Sequence, residues 1–315
     1  MDHPPDPLQN FSAEQVHAAL PWRALVDQLA MAFAQGAEVP VRHAHMLGGA
    51  DALLLMPAWS PDAIGVKLVT VMPGNAGRNV STVQASYLLL ERATGRMQAM
   101  IDGEALTLRR TAAASVLAAR YLARSDARRL LIVGTGKLAG WMARAYHALR
   151  PELTHVAFWG RNSSACDALV QTLRAQGLPA ERCADLQQGV QAADIVCCVT
   201  TSTTPLVLGE WLRPGTHLDL VGAFKPDMRE TDTAAVVRAQ VFVDTLAGAL
   251  SEAGDLVQPL AAGEIGREHV RGELAQLVRD EVPGRQSAQE ITLFKSVGTA
   301  LEDLAAARMV LAARP

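Results

Sequence analysis

Hydrophobic and polar positions follow two patterns in turn along the first 123 residues. Residues 1–10 read as a loose tail. Ser12, with Gln15 three residues on, makes a pair that caps a helix reciprocally. Helical spacing continues to Gln35 with a break near Pro21. Short apolar runs then replace it. Residues 39–44, 52–57 and 65–71 are strand candidates, the last two separated by the turn sequence Trp59-Ser60-Pro61-Asp62. Residues 86–91 form another, Ala93-Thr94-Gly95-Arg96 is its hairpin turn, and 97–101 returns. Strands in such succession predict a mixed or antiparallel sheet. An alanine-rich helix over 106–123 closes this part, with Thr107 as its candidate cap.

The period changes after Ser125-Asp126-Ala127-Arg128-Arg129, which reads as a hinge. Strands now alternate with helices: strand 130–133, helix 137–149, strand 154–159, helix 163–175, then strands 194–199, 217–221 and 241–243. Helices resume from about residue 247, and the last, over 298–312, has a long apolar and alanine face. Alternation of this kind predicts a parallel sheet covered on both faces.

One run within it carries chemistry. Leu130-Leu-Ile-Val133 has the sequence of a buried strand, and Gly134-Thr135-Gly136-Lys137-Leu138-Ala139 follows directly. Gly134 permits a tight turn, Gly136 lets a phosphate approach the backbone, and the helix N-terminus beyond offers unpaired N–H groups. Ala139 stands where the third glycine of the dinucleotide fingerprint tolerates alanine. The predicted fold class is therefore α/β, a Rossmann nucleotide-binding domain beside a mixed α+β domain. The strand over 154–159 ends in Gly160-Arg161-Asn162-Ser163-Ser164, and the first acid afterwards is Asp167. An acid at that strand end would accept from both ribose hydroxyls and favour NAD. Arg161 can instead fork onto a 2′-phosphate, helped by Asn162, Ser163 and Ser164, or be a solvated loop residue. NADP(H) is the preferred cofactor on this reading, with NAD(H) possible.

Composition narrows the field. The 315 residues suffice for two domains with cores. A net charge of -3 argues against a nucleic-acid partner. No run approaches ~18 apolar residues, so no membrane span is expected, and the first residues do not resemble a signal peptide. Cys166, Cys183, Cys197 and Cys198 have neither metal-ligand spacing nor a disulfide framework. Their usage fits a reducing cytoplasm, and no metal is expected.

Several separate runs resemble one family. They are Lys67-Leu-Val, Gly103-Glu-Ala-Leu-Thr-Leu-Arg-Arg110-Thr111-Ala-Ala, the Gly134 turn, Glu252-Ala-Gly-Asp255 and Ile291-Thr-Leu-Phe-Lys-Ser-Val-Gly298. In order, over about residues 38–310, they resemble the ornithine cyclodeaminase/mu-crystallin family. The resemblance implies a substrate-binding and dimerisation domain over 1–123, completed by 295–315, with a Rossmann NAD(P)-binding domain over 124–294. It implies a homodimer formed through the N-terminal domain, and hydride transfer at a carbon bearing nitrogen and a carboxylate. Carried over, Arg42 and Arg110 resemble the arginines that hold the substrate carboxylate, a role that a guanidinium fork suits. An interdomain salt bridge is the alternative for Arg110. Lys67 resembles the family's active-site lysine, and in an apolar strand it needs a charged partner. Thr111 resembles a pocket residue beside the cofactor. Thr200, Val221 and Gly222 complete the cofactor-binding set.

Two departures bear on the reaction. Deaminating cyclases of the family carry acids where this chain has Leu54 and Phe224. Phenylalanine can neither orient an amine nor take its proton, although nearby Asp227 could restore an acid. Lys225-Pro-Asp-Met-Arg-Glu230 resembles the form found in ketimine reductases, and Phe224 can line an apolar face for a substrate ring. The resemblance thus implies NAD(P)H-dependent reduction of cyclic imine carboxylates, Δ1-pyrroline-2-carboxylate to proline and Δ1-piperideine-2-carboxylate to pipecolate. Ornithine cyclodeaminase, alanine dehydrogenase and a non-catalytic NADPH-binding crystallin-like protein are the alternatives.

Overall fold

The computed structural model describes residues 7–78 and 80–313. The chain forms two compact units, one from residues up to Thr111 with those from Thr299 on, the other Ala112–Gly298.

In the first unit Gln9–Phe11 is a strand, β1, where the sequence reads as tail; residues 1–6 of that tail lie outside the described residues. Three residues have too little pattern to announce a strand, and β1 exists through its parallel pairing with a distant strand over Met97–Asp102. Ser12 and Gln15 make the expected capping box at the head of α1 (Ala13–Ala19), and α2 (Trp22–Gln35) restarts after Pro21. β2 (His43–Gly48), β3 (Asp51–Trp59), β4 (Ala63–Val71), β5 (Val83–Glu91) and β6 (Met97–Asp102) follow. β2 begins later than the pattern over 39–44 implied. The sheet order is β1-β6-β5-β4-β3-β2, antiparallel except for β1.

Helix α3 (Gly103–Leu122) starts three residues before the expected position, and Thr107 is not its cap. Asp102 accepts from the Ala105 amide at 2.8 Å, while the Thr107 hydroxyl donates back to the Gly103 carbonyl at 2.7 Å. Gly103 is required by contact, since a Cβ there would lie 2.7 Å from the Ala85 carbonyl carbon. The C-terminal helix Ala300–Ala312 packs on α2, β3, β4 and β5, and every residue from Ala300 to Ala307 is buried.

The second unit is an eight-stranded parallel sheet. Its strands are β7 (Arg129–Val133), β8 (His155–Trp159), β9 (Ala180–Arg182), β10 (Ile195–Cys198), β11 (His217–Leu220), β12 (Gln240–Val243), β13 (Val270–Glu273) and β14 (Thr292–Lys295). The order is β13-β12-β14-β11-β10-β7-β8-β9. Helices α4 (Lys137–Leu149) and α5 (Ser163–Ala175) have the bounds the sequence implied. The segment beyond 247 is not all helical. α8 (Leu246–Glu252) and α9 (Gly254–Ala261) follow α6 (Leu186–Ala192) and α7 (Thr233–Arg238), but β13 and β14 come after them. β14 is four residues, all buried, between β11 and β12. An apolar run that short has no period to separate strand from helix.

Candidate functional site

In the first unit the inward face of β4 carries Ala63, Gly65, Lys67 and Val69. Lys67 is 3% exposed, and its Nζ lies 2.7 Å from Asp303 Oδ2 in the C-terminal helix. Arg110 meets the same carboxylate, Nε to Oδ1 at 2.9 Å, and its Nη1 meets Glu302 Oε2 at 2.6 Å. The charged partner that Lys67 demanded is therefore Asp303. The ion pairs of Arg110 lie within one unit, not across two. They use Nε and Nη1 and leave Nη2 outside these bonds.

Burial lowers the Lys67 amine to about 8; Arg110 and Arg42 push the same way, while Asp303 opposes. Arg42 is half-buried just before β2. Asp303 goes below its ordinary range because Arg110 and Lys67 together outweigh burial. Arg110 is raised, the two carboxylates outweighing its own desolvation. Tyr87, paired in register with Lys67, is pushed up by burial and by Asp303; its hydroxyl fills the space that Gly65 leaves, where a Cβ would lie 1.7 Å away. Thr111 is buried one residue beyond Arg110. Sequence reasoning missed Glu302 and Asp303. Their signal was two adjacent acids among buried alanines and leucines at the head of a helix.

In the second unit the turn after β7 has the required geometry. Gly134 has φ +124°, and a Cβ there would lie 2.8 Å from the Val199 carbonyl. Gly136 is the N-cap of α4, and a Cβ on it would meet nothing within 4 Å. Side chains of Asn162, Asp185, Asp232 and Thr245 cap α5, α6, α7 and α8, but none caps α4. The head of α4 thus has no side-chain cap and open space over Gly136, a setting that fits a phosphate. Thr135 is half-buried, Lys137 exposed, Leu138 half-buried and Ala139 buried. At the end of β8, Arg161, Asn162 and Ser163 are exposed. The Asn162 carbonyl oxygen accepts from the Ala165 amide at 3.0 Å, which turns it toward the helix it caps.

Thr200, Val221 and Gly222 follow β10 and β11, and one buried carboxylate joins them. Glu230 Oε1 accepts from the Thr200 amide at 2.6 Å and hydroxyl at 2.9 Å, and Oε2 from the Gly222 and Ala223 amides at 2.7 and 3.2 Å. Asp255 Oδ1 accepts from the Glu230 and Thr231 amides, and its Oδ2 lies 3.2 Å from the fully buried Lys295 Nζ. Phe224 and Asp227 are exposed beyond Gly222. Another buried acid, Asp219 on β11, accepts from Ser115 Oγ at 3.1 Å and Tyr146 Oη at 3.0 Å. Sequence reasoning gave none of Glu230, Asp255, Lys295 or Asp219 a role.

A parallel sheet that runs β9-β8-β7-β10-β11-β14, with a Gly-x-Gly-x-x-Ala turn after β7, is a Rossmann dinucleotide-binding fold. The sequence pattern of the ornithine cyclodeaminase/mu-crystallin family matches residues 11–313, and the chain belongs to that family. It is 37% identical over 312 residues to a Δ1-pyrroline-2-carboxylate reductase of Colwellia psychrerythraea, across 96% of this chain and 98% of the relative. The structure of a Thermococcus litoralis Δ1-pyrroline-2-carboxylate reductase, in complex with NADH and L-proline, superposes with a TM-score of 0.91 at 30% identity, over 97% and 96% of the two chains. An archaeal alanine dehydrogenase dimer with bound NAD superposes at 0.89 with 28% identity, over 97% and 94%. Among the described residues no helix is long and apolar enough to cross a membrane.

Proposed function

We propose that this protein reduces cyclic imine carboxylates with NAD(P)H, in the manner of a Δ1-pyrroline-2-carboxylate reductase. One observation favours reduction over deamination. The first unit buries two cations, Lys67 and Arg110, whose shared carboxylate Asp303 is held ionised between them. Such a group is a poor base, whereas deaminating cyclisation needs a carboxylate able to take a proton from an amine. Phe224 supplies none either.

In this reading Arg42, Lys67 and the Nη2 edge of Arg110 hold the substrate carboxylate. Lys67 Nζ, lowered to about 8, holds a proton it can give up near neutrality. Gly134 to Ala139 hold the dinucleotide phosphates, Arg161 with Ser163 favours the 2′-phosphate of NADPH, and Thr111, Thr200, Val221 and Gly222 complete that set. The bound nicotinamide supplies the hydride. The first unit also makes the homodimer: β2 is exposed along its whole length and carries Met46 and Leu47 on an open sheet edge. All four cysteines are free, which suits a reducing cytoplasm.

The test is turnover. Purified protein with NADPH or NADH receives the five- and six-membered imine acids, and nicotinamide absorbance is followed. Ornithine with NAD is the control, read as ammonia. Imine-dependent oxidation without ammonia release is the expected result. Sustained ammonia release at a comparable rate overturns the assignment, and tight NADPH binding without turnover makes the chain a binding protein.

A further inference from the structure

Two loops of the dinucleotide-binding unit, after β10 and after β11, meet on a single side chain that touches no solvent. Glu230 receives four donors, two from Thr200 and one each from Gly222 and Ala223. Three of the four are backbone N–H groups, which only donate. The loops approach so closely that a Cβ on Gly222 would lie 2.0 Å from the Thr200 carbonyl oxygen and 2.5 Å from Glu230 Oε1. Glu230 is itself fixed from behind, its amide donating to Asp255 at 2.7 Å while Asp255 is paired with Lys295. An acid this buried, in a strand-end loop of a sheet whose strands bind ligands at their carboxyl ends, has a position to hold.

We propose that Glu230 is the positioning residue of the nucleotide crevice. One carboxylate clamps Thr200 to Gly222–Ala223, and so sets the separation of the two loops that carry the cofactor-binding residues Thr200, Val221 and Gly222. The inference rests on the nucleotide reading above. It requires both oxygens to accept. Glu230→Gln keeps the volume but offers one acceptor, so its amino group faces either the Thr200 pair or the Gly222–Ala223 pair as donor against donor.

The test is the Kd of NADPH and NADH, read by nucleotide fluorescence on the full chain, with thermal melting and circular dichroism beside it. Folded Glu230→Gln is expected to bind nucleotide about tenfold more weakly, as befits a buried amino group turned against a backbone donor. A lower Tm with an unchanged Kd makes Glu230 merely structural and overturns the proposal. Where Glu230→Gln does not fold, Glu230→Asp decides. It keeps both acceptor oxygens but is one methylene shorter, so it cannot reach both loops and is expected to weaken nucleotide binding. A Glu230→Asp Kd equal to that of the wild type overturns the proposal. Wild-type protein that binds neither nucleotide overturns the nucleotide reading and the clamp with it, whereas wild-type binding matched by Glu230→Gln overturns the clamp alone.

Discussion

One buried carboxylate in each unit, Asp303 in the first and Asp219 in the second, is accommodated by opposite means. In the first, Asp303 lies between Lys67 and Arg110 and is held below the usual carboxylate range. In the second, Asp219 receives hydrogen bonds from the hydroxyls of Ser115 and Tyr146, yet burial raises it to about 6. Neutral donors offset only part of the desolvation of a charge; adjacent cations offset more than all of it. Depth alone therefore does not set the state of a buried acid, and each unit responds differently when one partner is removed.

The largest effect is expected at the cation-held site. Asp303→Asn leaves Lys67 and Arg110 buried without their shared charge, which costs about 3–5 kcal/mol of stability. Urea denaturation measures it, and a loss below about 1 kcal/mol would show that the two cations do not depend on Asp303. Arg110→Ala comes next. It should lower kcat/KM for an imine acid by about 2–5 kcal/mol, with nucleotide affinity nearly unchanged. Because Glu302 and Asp303 then lose a partner, the same variant should also melt earlier. Lost stability with intact kcat/KM would leave Arg110 a structural ion pair.

The pH dependence of stability sharpens the contrast. Asp303, lowered in the fold, adds stability that is present above the ordinary carboxylate value and is lost as pH falls through its folded value. Asp219 acts in reverse. Between about pH 4 and 6 the fold keeps a proton that the unfolded chain has released, so its contribution declines by about 3 kcal/mol as pH rises through that window. Asp219→Asn should make the denaturation midpoints decline less across the window than those of the wild type, and parallel profiles for the two proteins would contradict the assignment. The smallest effect lies at an exposed site. Arg161→Asp, at the end of β8, should shift the ratio of kcat/KM for NADPH over NADH by about tenfold toward NADH. An unchanged ratio would place cofactor choice in another loop.

The sequence made local features legible and left distant ones hidden. α4 and α5 have the bounds implied by their apolar spacing, and Ser12 with Gln15 marks α1 through a three-residue relationship. β1 and β14 were lost because three or four residues become a strand only through partners far away in the chain. The site divides in the same way. Lys67 was recognisable as a charge in an apolar strand, Arg110 through the family resemblance, and Gly134 and Gly136 as a strand-to-helix turn. The acids that complete the cations were not, since Asp303 lies 193 residues beyond Arg110. Glu230 was hidden for a related reason: its four donors are mostly backbone amides, which have no residue type to read.

The discontinuity of the first unit has a consequence for how the chain is made. At a synthesis rate of about 10 residues per second, roughly 20 s separate the emergence of Arg110 from that of Asp303. All of Ala112–Gly298 is translated in the interval. Throughout it, Lys67 and Arg110 lack the carboxylate that lets them be buried, and β4 lacks the helix that covers its inner face. The nascent first unit therefore waits in an open, solvated form while the parallel sheet of the second can begin to assemble. A chain that stops before residue 299 leaves Lys67 and Arg110 without Asp303, and β4 without the helix that packs on it.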